Sequence, residues 1–132
     1  MTDEELFGAL QEATADLLYM SESDYPIEVV RLDGYEQLSP EYLRKAAGTD
    51  SSAGVVETTV EEFFRVPGGE QEWKDEAQLV EARKYQHLRT LLEENLTEIK
   101  AYRVGEINIG VYVVGRSSEG NLLGIATRVV ET

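Results

Sequence analysis

The stretch INIGVYVVGRSSEGNLLGIATRVV, residues 107–130, decides the fold. Its first part alternates with a period of two, which predicts a half-buried strand: Ile107, Ile109, Val111 and Val113 against Asn108, Gly110 and Tyr112. After a turn at 117–121, residues 122–130 are mainly apolar or small on both faces, which predicts a central strand covered by helices on either side. A strand at 99–104, joined through the tight turn Gly105-Glu106, completes an antiparallel β-meander.

The residues before the meander predict helices at 3–18, 40–47, about 60–65 and 75–95, and strands at 27–32 and 55–58. Capping boxes are expected at Thr2 with Glu5 and at Thr59 with Glu62, and Ser39-Pro40 should open the second helix. For the long helix we expect this inward stripe: Ala77, Val80, Leu88, Leu91, Leu92 and Leu96. Helices packed on an antiparallel sheet predict an α+β fold in one domain spanning 1–132, layered as an α/β/α sandwich.

Composition narrows the class of protein. The chain has no Cys, and no apolar run approaches the roughly 20 residues of a membrane span. It opens with Asp3, Glu4 and Glu5, the wrong charge for a signal peptide. We therefore expect a cytoplasmic protein that does not bind a membrane.

The charge is strongly acidic and unevenly placed. There are 26 Asp and Glu against 12 Lys and Arg, a net charge of −14. Residues 1–28 carry eight acids and no Lys or Arg, and residues 57–81 carry eight acids against Arg65 and Lys74, so these two segments hold the whole net charge. A field of this sign repels phosphate, which disfavours direct nucleic-acid binding and favours a basic protein partner. A surface acidified for solubility is the alternative, although it would spread its acids more evenly.

Signals of catalysis are missing from the sequence. There is no phosphate-binding Gly loop ending in Lys-Ser/Thr, and no Gly-x-Ser-x-Gly elbow. His87 is the only histidine, so a zinc site built from His and Cys is not expected. Paired carboxylates could perform acid–base chemistry, but 26 acids offer too many pairs to single one out. We therefore expect that the protein is not an enzyme and that it binds no cofactor.

Three places instead have the composition of recognition sites. Trp73 follows a Pro-Gly-Gly loop with Glu72 beside it, and is either a lid over the helix base or an exposed anchor. Glu22 and Asp24 lie in a polar segment that is either a solvated helix exit or a binding element. Glu131 and Thr132 follow the last strand directly, so the terminal carboxylate should have little freedom to move.

Motifs at these places resemble those of a known family. They are LLYMSESDYP at 17–26, YRVGE at 102–106, VYVVG at 111–115, GNLLGI at 120–125 and VVET at 129–132. In these the chain is similar to the nuclease A inhibitor family, over nearly its whole length, with the likeness thinnest between Arg31 and Thr58. The resemblance implies a three-layer sandwich similar to the pathogenesis-related type 1 fold. It also implies inhibition of a magnesium-dependent, sugar-non-specific ββα-metal endonuclease by plugging its active site.

The resemblance also implies roles for single residues. Glu22 would pair with active-site arginines of the nuclease, and Glu72 with Trp73 would match an acid–Trp pair at the interface centre. Thr132 would match a terminal residue whose carboxylate reaches the nuclease's magnesium. The family has Asp where this chain has Glu72, and the extra methylene shifts that charge. The predicted partner-binding residues are Glu22, Asp24, Glu72, Trp73, Glu131 and Thr132.

Three hypotheses follow. The first is a nuclease inhibitor, monomeric before it forms a 1:1 complex, whose carboxylates mimic the phosphates of nucleic acid. The second is an acidic interaction module of the same fold that binds a different basic partner. The third is a small hydrolase, which would need two carboxylates about 5–9 Å apart in a pocket.

Overall fold

The computed structural model describes residues 1–19, 21–32, 40–49 and 53–131. Four helices and seven strands lie in these ranges, in the following order: α1 Asp3–Thr14, β1 Leu18–Tyr19, β2 Tyr25–Pro26, β3 Glu28–Leu32, α2 Pro40–Ala47, β4 Val55–Thr58, α3 Val60–Phe64, α4 Glu76–Asn95, β5 Thr97–Val104, β6 Asn108–Arg116 and β7 Leu122–Val130. Among the described residues, no helix is both long and apolar enough to cross a membrane.

The main sheet has five antiparallel strands in the order β3-β7-β6-β5-β4. The meander β5-β6-β7 forms its centre, with Val113 opposite Ile125 and Tyr112 opposite Ala126. A separate two-stranded ladder pairs β1 with β2, placing Leu18 opposite Pro26. The predicted α+β class with an antiparallel sheet is confirmed.

The two faces of β6 belong to two different hydrophobic clusters. Ile109, Val111 and Val113 join a large core with leucines of α1 and α4. On the other face, α2 packs closely, because a Cβ at Gly110 would lie 2.9 Å from the Cβ of Ala47. Helices therefore contact both faces of β6, while the three-layer count and the pathogenesis-related type 1 likeness remain predictions.

Local signals fix the ends of the helices. The Thr2 hydroxyl accepts from the Glu5 N–H at 3.2 Å, and the Glu5 carboxylate accepts from the Thr2 N–H at 3.1 Å, so the predicted capping box is confirmed. Thr59 caps α3 by accepting from the Glu62 N–H. The predicted cap of α2, Ser39, lies outside the described residues.

Three predicted details are wrong. The first helix ends at Thr14, not Leu18; Leu17 is buried, and Leu18 begins β1 with its side chain exposed. Ile107 is also exposed, because β6 begins only at Asn108.

The predicted inward stripe of α4 is wrong at its start, where Ala77 and Val80 are exposed. Ala82 and Tyr85 are buried instead. Tyr85 lies three residues before Leu88, on the same helical face, and its hydroxyl donates to the Leu18 carbonyl at 2.7 Å. An aromatic side chain with a polar tip therefore fills a place that the sequence analysis assigned to aliphatic residues.

Candidate functional site

A groove of about 560 Å³ opens beside the ends of β5 and β7. Buried Val111 and Val129 line it from the sheet. Other lining residues come from β1, from the segment after it, from α3 and the loop that follows, and from α4. The volume lies within the range of protein binding sites, and the lining mixes apolar and charged side chains.

The structure brings three of the six predicted site residues to this groove. Glu22, Trp73 and Glu131 all line it and are all exposed. The Trp73 side chain is 65% exposed, which excludes the alternative of a buried lid over the helix base. Asp24 and Glu72 are exposed but are not among the lining residues, and Thr132 lies outside the described residues.

Acids from both acidic segments meet at the groove. Glu22 comes from residues 1–28, and Glu62 and Glu81 come from residues 57–81. The two acidic segments therefore show a convergence at the groove through these acids. It does not extend to Asp3, which is buried near the β6–β7 turn and accepts a hydrogen bond from the Asn121 side chain at 2.7 Å.

One rim of the groove, here called the carboxylate edge, consists of Ser21, Glu22, Val130 and Glu131. β3 pairs with β7 only as far as Ala126, so the end of β7 needs other partners. The Val130 N–H donates to the Ser21 hydroxyl at 3.0 Å, and the Glu22 N–H donates to the Val130 carbonyl at 3.3 Å. These bonds continue the sheet edge and join Glu22 to the last strand.

Glu131 is held from the other side of β7. Its N–H donates to the Ile107 carbonyl at 3.0 Å, and its carboxylate accepts from Arg103 Nη2 at 2.6 Å. A charge-assisted bond of this length fixes the carboxylate more firmly than a neutral one would. The residue that precedes Thr132 is therefore fastened through both its backbone and its side chain.

A second rim of the groove, here called the tryptophan loop, is formed by the segment Val66–Lys74, from which Val66, Pro67, Trp73 and Lys74 line the groove. Before it, Arg65 forms two bonds of 3.2 Å with Glu62, and this hydrogen bonding raises the pKa of the guanidinium. Trp73 lies near the end of the loop with the Lys74 ammonium 5.5 Å from its ring centroid. This rim combines an exposed aromatic ring with charges of both signs.

Aromatic rings pack between the two rims. Tyr19 stacks on Phe63 with 4.5 Å between ring centroids, and its hydroxyl donates to the Phe63 carbonyl at 2.6 Å. Burial raises the pKa of Tyr19 to about 12, and it also raises the pKa of Tyr85. Both hydroxyls donate to backbone carbonyls, which fixes the two rings in the wall of the groove.

Sequence reasoning missed several charged residues of the groove, among them Arg103, Lys74 and Glu62. Arg103 carried a readable signal, since it follows the buried Ala101 by two residues and so belongs to the same strand face. A cation on the inward face of a strand needs a partner, and here the partner is Glu131. Lys74 carried no comparable signal, because its partners are loop carbonyls.

Within the described parts of the chain, no cluster of His, Cys, Asp and Glu has the arrangement of a metal site. The groove therefore offers carboxylates, aromatic surface and paired cations. That set of groups suits the recognition of a charged protein surface.

Comparison with known protein families adds an independent finding. Residues 4–132 match the family model described as NuiA, nuclease A inhibitor-like protein. A search of curated proteins finds no match.

Proposed function

Because the chain belongs to the nuclease A inhibitor-like family, we propose that it is a protein inhibitor, and not an enzyme, that blocks a magnesium-dependent, sugar-non-specific endonuclease. Its carboxylates would take the places that phosphates of the substrate occupy in the nuclease. The complex would be 1:1, formed by a monomeric inhibitor that does not itself bind nucleic acid.

Charge chemistry supports carboxylate mimicry. A nuclease active site attracts phosphate with cations, and an arginine fork binds carboxylate and phosphate with similar two-bond geometry. The net charge of −14 would speed the encounter with such a site, on general grounds by 10- to 1,000-fold at low salt. Glu22 would be the carboxylate that enters among the arginines.

The observation that carries the proposal is the joining of Glu22 to the end of β7 beside an exposed tryptophan. Hydrogen bonds through Ser21 and Val130 hold two acidic residues, Glu22 and Glu131, at one rim of the groove. Trp73 at the other rim offers a large apolar anchor, the type of residue that most often dominates binding energy. A hydrogen-bonded acidic edge that shares a groove with such an anchor fits a partner whose own site is fixed in shape.

Thr132 is proposed to bind the nuclease's magnesium through its main-chain carboxylate. Mg²⁺ prefers oxygen ligands and accepts one or two carboxylates beside water. The fastening of Glu131 supports this role, because a residue that follows a fixed neighbour loses little freedom on binding.

Asp24 and Glu72 are proposed as contacts at the margin of the interface. Both are exposed, and both lie within two residues of a groove-lining side chain. Exposed charges of this kind mainly speed association and contribute little to the final affinity. Glu72, which is one methylene longer than the family's Asp, would reach a different point on the partner.

The test is a DNA-degradation assay with a ββα-metal nuclease from the same cell, with and without the protein. Inhibition at a 1:1 ratio is expected. Deleting Thr132 should raise the inhibition constant by about 30-fold or more, as expected for a central contact. Thr132→Ala, which keeps a carboxylate at the same main-chain position, is the control and should inhibit almost normally. Equal inhibition by the deletion variant would contradict the metal-binding role.

The second candidate is an interaction module for another basic protein. It is favoured by one observation, that Glu72 does not line the groove beside Trp73 although the resemblance pairs these two residues. Full DNA degradation in the presence of the protein, together with salt-sensitive binding to a basic protein that is not a nuclease, would favour this candidate.

A further inference from the structure

The tryptophan loop is irregular; backbone hydrogen bonds order its start, where the Gly68 N–H donates to the Phe64 carbonyl at 2.9 Å and the Gly69 N–H donates to the Val66 carbonyl at 3.2 Å. It contains no helix or strand, and Gly68 and Gly69 lie side by side within it. Glycine has the largest backbone freedom to lose. Trp73, at 65% exposure, is not held by burial. Other contacts must therefore fix the ring if the free protein is to present it in one orientation.

The ammonium of Lys74 supplies such contacts. Its Nζ donates to the carbonyls of Gly69 at 2.6 Å, Val66 at 2.7 Å and Pro67 at 3.4 Å. An ammonium has three donors and no acceptor, so these three carbonyls use its full capacity. The two ends of the loop are thereby joined through a single side chain.

The closed loop is also attached to α4. Gln86 Nε2 of α4 donates to the Gly68 carbonyl at 2.7 Å. Within the loop, the Lys74 N–H also donates to the Gln71 carbonyl at 3.0 Å. The same Lys74 ammonium lies 5.5 Å from the Trp73 ring centroid, within the range of a cation–π contact. One cation thus contacts both the loop backbone and the indole ring.

We propose that Lys74 is a positioning residue, which closes the tryptophan loop and holds Trp73 in the orientation that the partner captures. The proposal rests on the proposed function. Its physical basis is preorganisation, since ordering a loop and a large side chain before binding removes that cost from the affinity. The charge of Lys74 alone would act in the opposite sense, because a cation on an acidic inhibitor repels a cationic nuclease.

Lys74→Met is the main test, since it keeps the aliphatic stem and removes the donors. In the free protein, ¹⁵N relaxation of the backbone amide and indole of Trp73, the only tryptophan, should show an order parameter falling from about 0.85 to below about 0.6. Circular dichroism should stay unchanged, because the change is local. An order parameter that does not fall would overturn the positioning role.

Binding kinetics with the ββα-metal nuclease of the same cell provide the second measurement. Lys74→Met should raise the dissociation rate about 10-fold, the cost of ordering one side chain and its loop. Lys84→Met is the matched control: it removes the same charge from an exposed side chain that does not line the groove. Equal dissociation rates for the two variants would overturn the proposal.

Two further variants separate positioning from folding. Lys74→Arg keeps a cation with N–H donors and should restore most of the order and the slow dissociation. If Lys74→Met does not fold, Lys74→Gln, which keeps two donors, replaces it and should give Trp73 an intermediate order parameter. A wild-type order parameter in Lys74→Gln would contradict the positioning role of the ammonium. A wild-type protein that fails to inhibit would refute the proposed function. If the wild-type protein inhibits and Lys74→Met has the same order parameter and dissociation rate as the wild type, only the positioning role is refuted.

Discussion

The two rims of the groove are built on different principles. The carboxylate edge extends the sheet, with main-chain and hydroxyl bonds joining Ser21, Glu22 and Val130. The tryptophan loop is irregular and depends on the ammonium of one residue, Lys74. The backbone geometry of the first rim should therefore depend less on any single side chain than that of the second, whichever rim contributes more to binding. The comparison distinguishes a rim that is stabilised by the sheet, the carboxylate edge, from a rim that is stabilised by one side chain, the tryptophan loop.

The largest effect should come from removing the charge of the carboxylate edge. Glu22→Ala should weaken inhibition by about 100-fold or more, because a partner's arginine would be left desolvated and unpaired. Association should also become less sensitive to salt. The measurement is the inhibition constant between low and high ionic strength. Glu12→Ala removes an exposed acid of the same segment from α1 and should change inhibition little; equal losses would mean that only the total charge matters.

On the second rim, Trp73→Ala should raise the dissociation rate about 30-fold, the usual size of a binding hot spot. The melting temperature should barely move, since the side chain is 65% exposed. Val80→Ala, another exposed apolar residue, serves as the control. A large drop in melting temperature for Trp73→Ala would show that the ring stabilises the fold instead of anchoring a partner.

A smaller effect is expected for the hydroxyl that joins the rim to β7. Ser21→Ala leaves the Val130 N–H without its acceptor and should weaken inhibition by roughly 5- to 10-fold, the worth of one hydrogen bond of about 1 kcal/mol. Hydrogen exchange of the Val130 amide should accelerate. Ser21→Thr keeps a hydroxyl and should recover most of the loss. If Ser21→Ala exchanged and inhibited normally, the carboxylate edge would not depend on this bond.

The last prediction concerns the stability of the fold, not inhibition, and it addresses the aromatic rings that line the groove. The pKa of Tyr19 rises from 10.0 to about 12 on folding, so the unfolded chain loses this proton first as pH rises. Stability from Tyr19 is therefore present below pH 10 and is lost between pH 10 and about 12, by roughly 3 kcal/mol at about 1.4 kcal/mol for each pKa unit. Urea unfolding across this range should show a shallower decline for Tyr19→Phe. An identical decline in both proteins would contradict the assignment.

Much of the fold could be predicted because its signals are local. Residues 122–130 form β7 with the predicted bounds, since the apolar and small residues that predominate on both of its faces are typical of a strand covered on both sides. The capping boxes placed helix starts well, because they depend on neighbours three residues apart. The inward place of Tyr85 was missed, since the carbonyl that accepts from its hydroxyl belongs to Leu18, 67 positions away in sequence.

The site was only partly predictable. Glu22, Trp73 and Glu131 were identified and line one groove. Arg103 and Lys74 were not identified as site residues. The partner of Arg103 is a carboxylate 28 positions away, and the partners of Lys74 are carbonyls of a folded loop. Backbone carbonyls are present at every residue, so a sequence cannot show which of them a lysine will bind.

By itself, the sequence determined the α+β class, the antiparallel meander and the two acidic segments, because periodicity and charge are properties of neighbouring residues. The tertiary structure alone decided that Glu22 joins the end of β7, that Arg103 fastens Glu131 and that Lys74 closes the loop beside Trp73. Each of these contacts depends on hydrogen-bond geometry that acts over about 3 Å, and only the folded chain brings such distant residues that close.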